Sequence, residues 1–181
     1  MSIFEDIALL NSTVVHNDSA SIAGGAYVNG AKLTIENSIV YFNSATGDGN
    51  QVWLSSAELS YTYSDLASGP GDLFVHSSAT VTDGGGNVST DPLFEDLDGP
   101  DDDPTTAGDN DYRPGPGSPC VDSADNARVT LDERDLDGDN NRAEPLPFDL
   151  AGAPRFVDDA AVPDTGNGGA PIVDMGVFER Q

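Results

Sequence analysis

The chain has 181 residues, 37% of them hydrophobic, which is enough to bury a core in one domain or in one domain with an appendage. Its 32 acidic residues against 7 basic ones give a formal net charge of −25, so electrostatic repulsion excludes unaided binding to nucleic acid or anionic lipid. The excess of aspartate fits either calcium binding or a high-salt setting, and both explanations stay open.

A repeat of 26 residues organises the first part of the chain. The segment that begins at Ile7 superposes on the segments that begin at Leu33 and Leu59. Apolar and polar residues alternate within each copy, so Leu33, Ile35 and Ile39 are predicted to face one side of a strand. A coil of this length cannot bury its apolar face alone, whereas stacked coils share one core. The repeat therefore predicts a short solenoid of about three coils.

Asparagines recur at the same spacing as the strands. Stacking would place Asn11 beneath Asn37 and Asn17 beneath Asn43, as two asparagine ladders whose amides satisfy the turn backbone. Tyr63 replaces asparagine in the third copy and is predicted to interrupt the first ladder.

Composition divides the chain into three parts. Residues 1–90 carry the repeat, with Gly-rich turns between short apolar stretches. Residues 91–111 hold nine acidic residues and no basic one, which predicts a loop or tether. Residues 112–181 are Pro-rich and irregular, with arginines dispersed among aspartates, and are predicted to form a folded, loop-rich cap.

Several features limit location and chemistry. Cys120 is the only cysteine, which excludes an intrachain disulfide, and we interpret it as a buried small residue. No run of about eighteen apolar residues predicts a membrane span. The first residues lack the basic and apolar regions of a signal peptide. The histidines are interpreted as structural, since His16 occupies the position equivalent to Phe42 and His76 follows an apolar run.

Four motifs follow one another in a fixed order, at residues 87–94, 116–122, 148–155 and 172–179. This order resembles the terminal region of bacterial right-handed parallel β-helix proteins of the choice-of-anchor Q type. The resemblance implies an all-β, pectin-lyase-like, right-handed parallel β-helix closed by a C-terminal cap, on extracellular or cell-surface proteins. Cys120 departs from the pattern, in which alanine is usual. About three coils are fewer than such proteins stack, as expected for a fragment of a longer chain.

The best candidate site is a calcium loop. Asp135, Asp137, Asp139 and Asn141 place oxygen-bearing side chains at alternate positions, the spacing at which such a loop gathers ligands around one ion. Gly138 stands fourth in this run, so the pattern is not an EF-hand. A calcium site and a solvated acidic turn remain open alternatives. Weaker candidates come from the acidic run, for which a solvated loop is preferred: Asp98, Asp101, Asp103 and Asp109.

Other acidic residues of the cap are interpreted as structural. Asp122 and Asp125 are predicted to form ion pairs with Arg113 and Arg155. Turn or cap roles are assigned to two further residues, Asp149 and Asp174.

We expect a non-catalytic secreted or cell-surface module that is structural, adhesive or glycan-binding. A fragment of a polysaccharide lyase or glycoside hydrolase is the alternative, but Lys32 is the only basic residue other than histidine in the repeat. Expected partners are a glycan or a surface protein. A second copy of this chain is a further expected partner, because the first coil, from Ile7 to Val15, leaves a strand edge unpaired.

Overall fold

The computed structural model describes residues 1–104, 106 and 108–181. The described chain is all-β, and its only helix is a short 3₁₀ segment, Asn126–Arg128. Its strands, in chain order, are β1 (Ser2–Ile3), β2 (Ile7–Leu10), β3 (Thr13–Val15), β4 (Asp18–Ser19), β5 (Ala26–Asn29), β6 (Lys32–Glu36), β7 (Ile39–Tyr41), β8 (Ser44–Ala45), β9 (Val52–Ser55), β10 (Glu58–Thr62), β11 (Asp65–Leu66), β12 (Leu73–Val75), β13 (Thr80–Asp83), β14 (Phe94–Asp96) and β15 (Asp111–Pro114).

The first thirteen strands form a β-solenoid of about three turns. The chain visits four parallel sheets in succession, with strand orders β1-β5-β9-β12, β2-β6-β10-β13, β3-β7-β11 and β4-β8. Leu33 lies opposite Ile7 on one side and Leu59 on the other, which confirms the repeat of 26 residues. The last strand of the solenoid, β13, pairs in parallel with β10, and Thr80 lies opposite Glu58, so the sequence spacing is shorter here than 26 residues.

The interior of the solenoid is filled by one branched aliphatic residue above another. Leu33, Ile35 and Leu59 are fully buried in a core that also contains Val40 of β7. Ile39 is different, and the prediction that it shares a face with Leu33 and Ile35 is wrong. It lies outside this core and packs in a second cluster with residues of the C-terminal region.

The corner before β7 explains the position of Ile39. Asn37 has a positive φ of 49°, and so have the equivalent residues Asn11 (44°) and Tyr63 (45°). Asparagine tolerates this left-handed conformation better than most residues do. A single left-handed residue turns the chain and resets the alternation of side chains, so that after the corner Val40 points inward and Ile39 points outward.

The two predicted asparagine ladders have different outcomes. Asn17 donates from Nδ2 to Oδ1 of Asn43 at 2.8 Å, which confirms the second ladder. The first is wrong, because the amide of Asn37 instead exchanges two hydrogen bonds with the backbone of Asp125, at 2.8 and 2.9 Å. Neither side-chain polar atom of Asn11 has a partner among the described residues.

Serines form the ladder that the sequence analysis did not identify. The hydroxyl of Ser38 accepts from the backbone of Ser12, and the hydroxyl of Ser64 accepts from the backbone of Ser38, both at 3.1 Å. Asn87 continues the series by accepting from the backbone of Ser64 at 3.0 Å. The identical serines at a spacing of 26 residues were a visible signal for it.

An aromatic stack follows the sheet β1-β5-β9-β12 along its outer face. The rings of Tyr27 and Trp53 are stacked at 4.9 Å, and those of Trp53 and Phe74 at 5.3 Å. Phe4 ends the stack with a tilted ring 6.1 Å from Tyr27. Both faces of Trp53 are therefore covered by neighbouring rings.

The C-terminal region lies along the flank of the solenoid. Gly176 donates to the carbonyl of Asn37 at 2.8 Å, and Val177 donates to the hydroxyl of Thr13 at 3.2 Å. Cys120 is fully buried, as predicted, and its thiol donates to Asp65 of the third coil at 3.4 Å. These contacts reach all three coils. The acidic run between the two regions is bracketed by an antiparallel pair, β14 and β15.

Candidate metal centre

The predicted calcium residues lie in a loop whose two ends are held together by the backbone. Asp132 donates its N–H to the carbonyl of Glu144 at 2.8 Å, and Leu146 donates to Thr130 at 2.8 Å. These two bonds close the neck of the loop, residues 132–144. Acidic residues that are far apart in sequence are thereby brought next to one another.

Three of the four predicted residues converge within the loop. Asp135, Asp137 and Asp139 each place a carboxylate oxygen within 4.8 Å of the others. The loop turns at Gly138, which has a positive φ of 78°. Asn141 is bonded within the same loop: its amide N–H donates to Glu144 at 2.9 Å, its Oδ1 accepts from Ala143 at 3.2 Å, and its backbone N–H donates to Asp139.

Asp132 and Glu144 are the residues that the sequence analysis missed. Together with Asp137 they form a second carboxylate group within 4.8 Å. Asp132 is 0% exposed, and although its Oδ2 accepts from Leu136 at 2.6 Å, its Oδ1 has no partner among the described residues. Oε1 of Glu144 is likewise buried without a partner. A buried carboxylate oxygen with no donor is costly unless a proton or cation satisfies it.

The electrostatics of the loop favour a cation. Loss of solvation raises the pKa of Glu144, and repulsion from Asp139 and Asp137 adds to this rise, whereas the hydrogen bond from Asn141 opposes it. Asp137 belongs to both carboxylate groups, so one ion bound beside it could be reached by ligands from either. The side-chain donors are all oxygens, the set that calcium and magnesium prefer over softer metals.

The weaker candidates in the acidic run are arranged differently. The described residues contain no group of three carboxylates within 4.8 Å there. Asp103 donates its N–H to the carbonyl of Asp98 and to the carboxylate of Asp101. The hydroxyl of Thr106 donates to Asp101 and, more weakly, lies 3.4 Å from Asp109. These contacts are hydrogen bonds within the acidic segment itself, as in a turn.

The acidic residues and arginines of the cap pair differently from the prediction. Arg113 pairs with Asp111 instead of Asp122 or Asp125, so that prediction is wrong. Asp125 does form an ion pair, at 3.1 Å, but with Arg128. Arg128 also pairs with Glu36 of β6 and so ties the C-terminal region to the second coil.

Arg155 and the other buried acids form a connected series. Arg155 pairs with Glu179 at 2.9 Å, and both side chains are almost fully buried. Each carboxylate then accepts the backbone N–H of the next acid: Asp149 from Glu179, Glu179 from Asp174, and Asp174 from Asp122, at 2.8 to 3.1 Å. Residues of three of the sequence motifs therefore meet here. The fourth joins through Ser118, which donates to Pro92 at 2.6 Å.

The histidines have structural surroundings. The ring of His16 stacks with those of Phe42 and Tyr112, at 5.6 and 6.2 Å, and burial lowers its pKa. His76 contacts the hydroxyl of Ser78 at 3.2 Å. No described metal-ligand cluster includes either of them.

Comparison with protein-family models, curated proteins and solved structures finds no match for this chain. No helix in the described residues is long and apolar enough to cross a membrane.

Proposed function

We propose that this chain is a non-catalytic β-helix module, secreted or on the cell surface, that is stabilised by calcium. The observation that carries the proposal is the loop 132–144, where two overlapping groups share the carboxylate of Asp137 and contain four others, and where a fully buried oxygen of Asp132 lacks a donor. An ion bound there would join both ends of the loop and so favour the folded state.

The surface location and the relation to choice-of-anchor Q proteins are part of this proposal. The resemblance rests on four motifs, and support for treating them as one unit comes from the contacts that link them. Ser118 and Pro92 join two of the motifs, and the series from Asp149 through Glu179 and Asp174 joins the rest. A terminal segment that docks on its own solenoid is a reasonable way to end a stack of coils.

Contacts with a glycan, a surface protein or a second copy are proposed on the outer faces of the solenoid. The strands β1, β2, β3 and β4 each lie at an edge of their sheet, so the first coil leaves main-chain groups available for pairing. A sugar that stacks on an aromatic ring needs an open ring face, and Trp53 offers none. Phe4, 63% exposed at the end of the stack, is the better candidate for such a contact.

A polysaccharide lyase or hydrolase remains the second candidate. A lyase needs a cationic group to bind a uronate carboxylate and a base to remove the adjacent proton. Four of the six arginines, however, are already paired with carboxylates of the chain: Arg113, Arg128, Arg155 and Arg180. This pairing leaves them less suited to bind an acidic sugar, and we therefore prefer the non-catalytic proposal.

Thermal unfolding with and without calcium tests the proposal. Calcium should raise the melting temperature of the wild type, and Asp137→Asn should reduce that rise. Asp48→Asn, which removes the same charge from an exposed turn, is the matched control and should behave like the wild type. No calcium-dependent rise would exclude the stabilising role. Release of an ultraviolet-absorbing unsaturated product from an acidic polysaccharide would instead support the lyase.

A further inference from the structure

Asp122 is a buried acid whose backbone is fully bonded and whose side chain is not. Its N–H donates to Asp174 at 2.8 Å, and its carbonyl accepts from Thr165 at 2.9 Å and from Gly166 at 3.1 Å. The residue is 0% exposed, yet neither carboxylate oxygen has a hydrogen-bond partner of normal geometry among the described residues. An ionised carboxylate in this position is costly unless a cation compensates its charge.

Two further carboxylates face the same point. Asp158 and Asp164 each place an oxygen within 4.8 Å of Asp122 and of each other. Within the described chain, no lysine or arginine forms an ion pair with any of the three. Arg180 is committed to Asp159 at 3.0 Å and to Glu95 at 3.2 Å. Three like charges thus converge without a protein counter-charge.

The convergence is built by the backbone of three separate segments. Asp164 precedes Thr165, whose N–H is bound to the carbonyl of Asp122. Asp158 precedes Asp159, whose carboxylate accepts from Ala161 at 3.0 Å and pairs with Arg180. Asp122 itself has a left-handed backbone conformation, with a φ of 48°, which aspartate adopts more readily than most residues do. These constraints hold the acids together despite their repulsion.

We propose that Asp122, Asp158 and Asp164 bind a hard divalent cation, calcium above all, at a site separate from the loop 132–144. The three donors are carboxylate oxygens, and together they offer more negative charge than the ion carries. An ion there would link the segment before the 3₁₀ turn to the two loops that precede the C-terminus. The site shares no ligand with the centre proposed above, so either can fail without the other.

Protonation competes with the cation at this site. Burial raises the pKa of Asp122 to about 6, and repulsion from Asp164 and Asp158 adds to the rise, whereas the backbone N–H of Asp159 opposes it. A bound cation reverses this preference, because it stabilises the ionised form.

Calcium bound per chain, measured by equilibrium dialysis in high salt, tests the site. Asp122→Asn and Asp164→Asn should each bind about one calcium ion fewer than the wild type. Asp164 is exposed, so its variant keeps the test valid if Asp122→Asn fails to fold. The control variant, Asp48→Asn, should bind as many calcium ions per chain as the wild type. Asp137→Asn should lose a different ion and keep the one at Asp122.

The outcomes separate the two sites. Loss of an ion in Asp122→Asn and Asp164→Asn, with none lost in Asp137→Asn, would support this site and exclude the one in the loop 132–144. Wild-type binding in both Asp122→Asn and Asp164→Asn would overturn the inference. A wild type that binds no calcium in high salt would overturn it as well.

Discussion

Asp65→Asn should remove a large part of the pH dependence of folding. Asp65 lies on the outer side of the third coil, fully buried beneath the C-terminal region, where Cys120 donates to it at 3.4 Å. Burial raises its pKa to about 7, although the hydrogen bonds from Cys120 and from the backbone of Thr90 oppose the rise. Asparagine has the same shape without the charge, and its single carbonyl oxygen can accept one of the two hydrogen bonds, whereas its Nδ2 can only donate.

The size of the effect follows from the two protonation states. In the unfolded chain Asp65 releases its proton near its ordinary pKa of 3.8, whereas the folded protein holds the proton until about 7. Between these values the folded state binds more protons, so stability falls as the pH rises. The contribution of Asp65 should fall by about 3 kcal/mol between about pH 5 and about pH 8. The difference in stability between Asp65→Asn and the wild type should therefore shift in favour of the variant by that amount between the same two pH values.

Urea unfolding of both proteins at the two pH values, in calcium-free buffer, measures the difference directly. Other buried acids, such as Asp174, change the slope of both proteins alike and cancel in the comparison. Asp48→Asn, an exposed change of equal charge, should run parallel to the wild type. If Asp65→Asn also loses stability in parallel with the wild type, Asp65 is ionised throughout and the reasoning fails.

Three further substitutions test the packing of the C-terminal region and the core. Gly176→Ala should lower the free energy of unfolding by more than about 1 kcal/mol, because its Cβ would lie 2.9 Å from the hydroxyl oxygen of Thr13 and its φ is 100°. Gly169→Ala is the control: its Cβ would meet no atom within 4 Å, so it should be nearly neutral. Thermal unfolding measures both variants. Arg155→Met should cost about 3–5 kcal/mol in urea unfolding, because the buried carboxyl group of Glu179 and the carbonyl of Val177 then lose the donors that Arg155 supplies. A second change, Glu179→Gln, should restore part of the loss. Leu33→Ala should cost about 2–5 kcal/mol through the cavity that it leaves in the solenoid core, and a smaller loss would show that the coils collapse around it.

The solenoid could be predicted because its coils repeat. Leucines, asparagines and serines that recur every 26 residues are stacked in space, so one spacing predicts both register and core. Ile39 could not be placed this way, since simple alternation does not account for the left-handed corner at Asn37. The amide of Asn37 was likewise assigned to a ladder, but a backbone partner 88 residues away in sequence binds it.

The candidate metal centre was predictable only where its residues are close in sequence. The alternate spacing of Asp135, Asp137 and Asp139 is visible without a structure. Asp132 and Glu144 join them only because backbone hydrogen bonds close the neck of the loop. No local sequence pattern predicts that closure. In the same way, Asp122 was interpreted as an ion-pair partner because arginines are near it in sequence, while its actual neighbours are acids from two later loops.

Isothermal titration of calcium at low and high salt tests whether this β-helix binds calcium at specific sites, as stabilisation by calcium requires. Binding by the wild type should be saturable, should persist in high salt and should be weakened by Asp137→Asn. Weak heats that vanish in high salt, equally for the wild type and for Asp137→Asn, would contradict it. The negative charge would then act only as a diffuse surface field.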